Sequence, residues 1–423
     1  MVVFAALLRR DPLDADLLYQ YGKALTDGGD YAGAARVFQA HLTLKPEHLT
    51  AWSRLAFALY RSDELDAAQA VYQRILATRG PYAPALAPLA QLRYLAGDPE
   101  EGARLMATVA DAPTIDPESA VVQALYALQC GDYRRGFAGI EARWRMEQFD
   151  HPAWVGDPDR HWSTGPRPPG PLVVHAEEGF GDVIMMSRFV PRLLETGGDI
   201  TFLVPPALER LMGTLSPGVR VVSDAGRLPA GARNAGLMSL PFLLSEDGSS
   251  LWPGGHQYLS SPDSAPVLDR PDTLRVGLVW AGGGGTVHDR DRSMPHFDVL
   301  RPLLGLPGIS WFSLQVGPRA AECQESPVVP APALRDFAET GALVGALDLV
   351  ISVDTAVCHL AGALGVPTWV LVPTVPEWRW MAARETTPWY PSTRVFRRQR
   401  SSDWPGVLDA VAAALQRQPR PER

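Results

Sequence analysis

A chain of 423 residues, 46% of them apolar and 20% charged, has room for two or three domains and a large core. A net charge of −8 excludes nucleic-acid binding by the chain as a whole, and no apolar run reaches transmembrane length. The three cysteines, Cys130, Cys323 and Cys358, form no CxxC pair, which excludes a disulfide framework or a cysteine zinc site and predicts a cytoplasmic setting.

The chain opens with Met1 to Leu8, apolar but short. No basic residue precedes it and no small-residue cleavage signal follows, so it reads as a helix rather than a signal peptide. From there to residue 150 the sequence repeats. Gly29-Asp30, Gly97-Asp98 and Gly131-Asp132 sit at multiples of 34 residues. Ala34 and Phe38 recur as Ala68 and Tyr72, Gly22 recurs as Ala56 and Ala90, and Phe4 and Pro12 recur as Phe38 and Pro46. This resembles the tetratricopeptide repeat, a helical hairpin with small residues at the helix crossing and a proline closing the unit. One hairpin cannot bury its apolar face alone, so stacking supplies the core. The units run over 15–48, 49–82, 83–116 and 117–150. The third is degenerate, and the fourth departs further at Gly136 and Ile140. Residues 1–12 match only the second helix of a unit, the pattern of a half-repeat cap or of a chain cut within a repeat. The expected role of the array is to bind a peptide or protein on its concave side. A spacer or dimerisation arm is the plainer alternative.

Residues 151–170 hold Pro152, Pro166, Pro168 and Pro169, and Pro171 follows; this predicts a stiff extended crossing between domains. Beyond it, apolar strand-like runs alternate with helical stretches. The first series is Pro171–His175, Ile200–Val204, Val219–Val222 and Ala235–Leu240, with a helical stretch through Leu194. The second is Leu274–Trp280, Ser310–Gln315, Asp348–Asp354 and Pro367–Val372, with helices over Leu334–Leu347 and Ala356–Leu364. Such alternation predicts two Rossmann-like lobes, 171–265 and 266–402, each a parallel sheet covered on both faces. Asp403–Leu415 reads as an amphipathic helix crossing back to the first lobe, ahead of a frayed tail to residue 423.

Ligands of open parallel sheets bind beyond the carboxyl ends of the strands, and each candidate motif falls there. At Asp354-Thr355-Ala356 a strand passes directly into a helix, whose free N–H groups and dipole suit a phosphate. Asp354 is expected to cap that helix or orient nearby donors, and His359 lies one turn along. The alternative is an N-capped buried helix with a satisfied core histidine. Gly282, Gly283 and the glycines after them lead to Arg290, Arg292 and Ser293, a loop that lets backbone approach a ligand and arginines fork onto phosphate. The only lysines are Lys23 and Lys45, so phosphate in the second half must be met by arginine or backbone N–H groups. Asp289-Arg290-Asp291 is a formal D-x-D, discounted as a metal signature because an arginine stands between the acids. Glu178-Gly179-Phe180-Gly181-Asp182 forms the matching turn of the first lobe. It lacks the dinucleotide spacing. Asp182 serves there either as a base for an acceptor hydroxyl or as a helix cap.

Together, Glu178–Asp182, Val279-Trp280-Ala281-Gly282, Ser313-Leu314-Gln315 and the run from Asp354 to Gly362 resemble bacterial tetratricopeptide-linked glycosyltransferases, whose catalytic part is similar to the ADP-heptose:lipopolysaccharide heptosyltransferases. Trp378-Arg379-Trp380, Trp389-Tyr390-Pro391 and Glu141–Arg145 fit the same group. The resemblance implies a GT-B fold of two facing lobes, with donor on the second, acceptor toward the first and no essential metal. It implies Asp182 as the catalytic base; failing it, His175 or Glu178 is expected to take the acceptor proton, with Gly179 and Gly181 also on the acceptor side. It implies Asp354, Thr355 and Ala356 on the diphosphate turn, with Gly282, Gly283, Arg290, Arg292, Ser293, Gln315 and His359 around the donor. The heptosyltransferases use a lysine near the glycine loop, and this half has none. A closer analogue is the flagellin glycosyltransferase, which implies a flagellin acceptor held by the repeats and a nonulosonic sugar from a CMP donor. The expected activity is therefore metal-independent transfer from a nucleotide sugar to a protein Ser or Thr. A lipopolysaccharide or glycolipid enzyme and a non-catalytic nucleotide-sugar adaptor are the alternatives. Trp378, Trp380, Trp389 and Tyr390 are expected to pack between lobes rather than stack on a base or sugar.

Overall fold

The computed structural model describes residues 11, 13–96, 98, 101, 102, 104, 105, 108, 117–146, 160–244, 257–268, 272–283, 289, 292–373, 378–381, 384–399 and 403–418. The outer repeats form α1 (Ala15–Gly28), α2 (Tyr31–Leu44), α3 (Leu49–Arg61), α4 (Leu65–Arg79) and α5 (Ala83–Leu95). The Gly-Asp signals at 29–30 and 131–132 act as read, while Gly97 lies outside the described residues: Gly29 ends α1 in the left-handed region at φ 80°, and the Asp30 carboxylate accepts from Gly33 N at 2.9 Å to start α2. Gly22 marks the crossing, because a Cβ there would lie 2.6 Å from the Phe38 ring. Phe38, Ala34, Ala56, Ala68, Tyr72 and Ala90 are all buried in one core shared by these five helices. Pro88 sits inside α5, consistent with a degenerate third unit. The second helix of that unit and the half repeat at 1–12 lie largely outside the described residues.

The last hairpin is α6 (Pro117–Cys130) and α7 (Tyr133–Ile140), with two glycines at its crossing. A Cβ at Gly136 would meet Leu128 Cδ2 at 2.4 Å, and one at Gly139 would meet Ala124 Cβ at 2.8 Å. This is what the departure at Gly136 does. Leu128, Phe137 and Ile140 join the same core as Val183, Phe189, Trp378 and Trp389 from both lobes. The start of the proline junction lies outside the described residues. Its end is not a free span: Trp162 is buried and its N–H donates to Asn234 O at 2.8 Å on the edge of the first sheet.

The first lobe is a four-stranded parallel sheet of β1 (Leu172–His175), β2 (Ile200–Leu203), β3 (Val219–Val222) and β4 (Arg233–Gly236) in the order β3-β2-β1-β4. The second contains β5 (Leu274–Val279), β6 (Ile309–Ser313), β7 (Leu349–Val353), β8 (Thr368–Val372), β9 (Thr386–Thr387) and β10 (Tyr390–Arg397) in the order β6-β5-β7-β8-β10-β9. All its pairings are parallel except β9 with β10. Every residue of β7 and β8 is buried, as expected for strands covered on both faces. Strand order reverses beside β1 and between β5 and β7, the places where parallel sheets open a crevice.

Some expectations shift. The fourth strand covers 233–236, not Ala235–Leu240, and the chain then turns helical over Leu237–Leu243. The helix after β1 is α8 (Phe180–Met186), which tightens into a 3₁₀ segment over Ser187–Thr196 containing Pro191, a residue without a donor. The helix α9 (Phe337–Gly345) precedes β7 and α10 (Ala356–Ala363) follows it. The closing helix α11 (Trp404–Arg417) does not cross back to the first lobe. Its apolar face of Trp404, Val407, Leu408, Val411 and Leu415 shares a core with Leu300, Leu303, Trp369 and Phe396 of the second. The crossing is made instead by the aromatic segment before β10. Trp378 and Trp389 pack edge-on against Phe137 of α7, at 6.0 and 6.3 Å between ring centroids. Arg188 of the first lobe donates to Trp389 O at 2.8 Å.

Candidate active site

Between the facing lobes lies a cavity of about 640 Å³. It is lined by the turn after β1 (Glu178–Asp182), the loop after β5 (Ala281, Gly282, Gly283, with Arg292), the residues after β6 (Leu314–Val316), the turn after β7 (Asp354–Val357, with His359) and Arg379. Each of these strands contributes its carboxyl end, so one crevice gathers motifs far apart in sequence.

On the second lobe, the residues whose N–H groups open α10 line this cavity. The helix start there offers donors and positive potential to an anion. Thr355, not Asp354, occupies the N-cap position, in extended conformation and with no side-chain cap bond. Its hydroxyl instead lies 3.1 Å from Ser352 Oγ. The expectation that Asp354 caps the helix is thereby corrected: the chain is still extended at Thr355, one residue too late for Asp354 to be the cap.

His359 is buried, bonded through Nδ1 to the Tyr390 hydroxyl at 3.0 Å and stacked on Trp380 at 5.2 Å. Burial first, then Arg379, Arg188 and Arg292, hold its proton affinity far below that of an ordinary histidine. Its ring lines the cavity beside Thr355 and Ala356.

On the first lobe, Glu178 adopts φ 62°, a conformation uncommon for a residue with a side chain, and turns β1 sharply into α8. Asp182 closes the turn by accepting from Gly179 N at 3.2 Å, so it does cap its helix. Its other oxygen meets Arg379 of the second lobe in a charge-assisted hydrogen bond. Gly181 permits the lobes to touch: a Cβ there would lie 2.8 Å from His359 Cδ2 and 3.5 Å from Ala356 Cα. The starts of α8 and α10 thus meet at the floor of the cleft. His175 is not in the lining. It is buried behind the turn with its ring 6.0 Å from Trp144, so its place as an acceptor-side base is corrected by its burial.

The glycine loop is tied from below. Ser293 Oγ accepts from Gly282 N at 2.9 Å, and Arg292 Nε donates to Asp289 Oδ1 at 2.8 Å. A Cβ at Gly282 would lie 2.3 Å from that carboxylate, whereas Gly283 has open space in front of it. Gln315 is buried; its amide oxygen accepts from Trp280 N and Ala281 N at 3.1 and 3.0 Å, and its amide nitrogen donates to Ala281 O at 3.1 Å. Ser293 therefore shapes the loop from outside the cavity, while Gln315 shapes it and lines the cavity together with Arg292. Arg290 and Asp291 lie outside the described residues.

Asp289 of the D-x-D is buried and paired with Arg292, an arrangement unsuited to a metal carboxylate. A second group, Asp354, Cys358 and His359, brings its ligand atoms within 4.8 Å of one another. Its thiol donates to Thr355 O at 2.9 Å and is held far above the ordinary thiol range by burial and Asp354.

Three important residues were not singled out for the site by their pattern. Arg379 is one. Glu177 and Arg143 are the others: Arg143 of the last repeat forks onto Glu177 at 3.0 Å through both Nε and Nη2, and Met238 N donates to the same carboxylate at 2.9 Å. Burial pushes the Glu177 carboxyl up while Arg143 pulls it back. Glu177 directly precedes the Glu178 turn, so the end of the repeat array is fastened to the cleft.

A tetratricopeptide repeat model matches residues 25–91. Protein FlbA of Caulobacter vibrioides is 25% identical over 457 aligned residues, a match covering 98% of this chain and 69% of FlbA. Among solved structures, E. coli heptosyltransferase WaaC with ADP-2-deoxy-2-fluoro heptose aligns at TM-score 0.40 and 15% identity, covering 58% of this chain and 99% of that one. MamA from Desulfovibrio magneticus RS-1 aligns at TM-score 0.25 and 25% identity, over 34% of this chain and 81% of that one. No helix among the described residues is long and apolar enough to cross a membrane.

Proposed function

We propose that the chain is a glycosyltransferase that moves a sugar from a nucleotide-sugar donor to a hydroxyl on a protein, using the inter-lobe cleft. One observation carries this reading: the helix start at Thr355–Val357 and the carboxylate turn at Glu178–Asp182 line the same cavity from opposite lobes. The donor phosphate rests on the N–H groups opening α10, and the acceptor hydroxyl approaches Asp182. The acceptor oxygen forms a bond to the anomeric carbon while the bond from that carbon to the phosphate oxygen breaks. The electron pair leaves with the phosphate, and the acceptor proton passes to the Asp182 carboxylate. The amides of α10 and Arg292 stabilise the charge that develops on the leaving group. No residue in this step requires a metal.

The protein acceptor is supported by the repeat array fastened to the cleft through Arg143 and Glu177. A flagellin acceptor and a CMP-linked nonulosonic donor are the specific form that the sequence resemblance suggests. A thermal-shift series with UDP, GDP, ADP and CMP identifies the donor class, since a ligand of the native state raises its melting point by mass action. Asp182→Asn is expected to abolish transfer and retain nucleotide binding; a wild-type rate in that variant removes the base assignment. With the donor radiolabelled, label in protein supports this reading, and label confined to lipid overturns it.

A further inference from the structure

Arg379 carries a role the reaction above does not assign. It belongs to the second lobe, in the aromatic Trp378–Trp380 turn, yet its guanidinium bonds to Asp182 of the first. The two residues are 197 positions apart, and the side chains are only 12% and 17% exposed. Arg379 also lines the cavity together with Thr355 and Ala356. Gly181 sets the scale of the gap: its Cβ position is 3.5 Å from Ala356 Cα, so the Asp182 turn and the α10 start are direct neighbours. A phosphate at the α10 start therefore arrives beside a guanidinium already held by a carboxylate.

Two anions then compete for one fork. A carboxylate bonded to arginine is a poor acceptor for a hydroxyl proton, because the proton would displace a charge-assisted bond. A phosphate matches the same fork geometry, and the N–H groups at the α10 start hold it beside the fork.

We infer that Arg379 is a shared cation that passes from Asp182 to the donor phosphate, so that donor binding itself frees the Asp182 carboxylate for the acceptor. The inference rests on the cleft being the nucleotide-sugar site. No covalent bond changes in this exchange; one ion pair replaces another. Its consequence is order: the acceptor hydroxyl meets a competent base only after the donor is seated.

The test is a double-mutant cycle read by calorimetry of nucleotide binding, using whichever of UDP, GDP, ADP or CMP binds the wild-type chain, with inorganic pyrophosphate as a base-free probe. Arg379→Met is expected to weaken the nucleotide about tenfold, the loss of one charge-assisted contact. Arg379→Lys, which keeps the charge and loses the fork, falls between. Asp182→Asn is expected to tighten the nucleotide about threefold or more, because it removes the competitor for Arg379. In the double variant that gain disappears and the affinity matches Arg379→Met alone. Asp182→Asn weakening the nucleotide, or leaving its affinity unchanged, overturns the inference and leaves the cleft reading standing. It stays decisive even if Arg379→Met does not fold. If none of the four nucleotides nor pyrophosphate binds the wild-type chain, the cleft reading falls and the inference falls with it.

Discussion

The outer repeats and the last repeat are built from the same helical hairpin and end in opposite situations. Helices α1–α5 bury Phe38, Leu55 and Tyr72 against one another in a core separate from that of the lobes. Helices α6 and α7 bury Leu128, Phe137 and Ile140 against both lobes. The first is a solenoid held by nearest neighbours. The second is a wall of the two lobes. In the last hairpin Gly136 and Gly139 leave room for Leu128 and Ala124 of α6, and Phe137 of α7 meets Trp378 and Trp389.

The comparison is broken most directly by Phe137→Ala and Phe38→Ala. Each removes a fully buried ring, and each is expected to cost about 3–5 kcal/mol. Their reach should differ. Phe137→Ala is expected to lower the lobe transition in chemical denaturation and weaken nucleotide binding, whereas Phe38→Ala should loosen only the outer repeats. Equal loss of nucleotide affinity in both variants would erase the distinction.

Gly181→Val sharpens it from the cleft side. Its side chain would press on the His359 ring and the start of α10, at a cost of about 1–3 kcal/mol. Nucleotide affinity should fall while the outer repeats melt as before. A variant with unchanged affinity would mean the lobes need not meet at this point.

The smallest effect is expected from pH. His359 titrates in the unfolded chain near about 6.5 but is held far below that when folded. Its stabilising contribution is therefore fully present above the unfolded value and is lost as pH falls below it, because only the unfolded chain gains a proton. Glu177 acts in the opposite sense: its raised carboxyl gains stability as pH falls toward the acid range. The repeats carry their own histidine effect. His48 is lowered by burial and then by His41, whose ring nitrogen lies 2.6 Å away. His359→Gln should flatten the acid limb of the lobe melting curve between about pH 7 and 5.5 and leave that of the repeats. A lobe limb as steep as in the wild type would argue against a buried neutral imidazole.

Much of this was readable from local signals. Gly29-Asp30 encodes a helix stop and start through one backbone conformation and one carboxylate. β7, α10 and β8 appear as an apolar run, a sharp polar turn and another apolar run, because each is covered on both faces. The cleft motifs were legible for the same reason: strand ends announce themselves. What stayed hidden depends on contacts across long separations. Nothing near Arg379 states that it reaches Asp182. Nothing near His175 states that Trp144 will cover it. The apolar stripe of α11 gives a buried face without saying which lobe buries it. Asp354 and Thr355 are both good capping residues, and only the dihedrals at Thr355 decide between them.

The Arg143–Glu177 pair also decides where one array could be exchanged for another. Removing the arginine would strand a buried carboxylate, a loss of about 3–5 kcal/mol in a pair of this kind. A chimera joined at the proline-rich segment would discard that arginine along with Phe137. A join that keeps both residues with the lobes must fall before Pro117, where α6 begins.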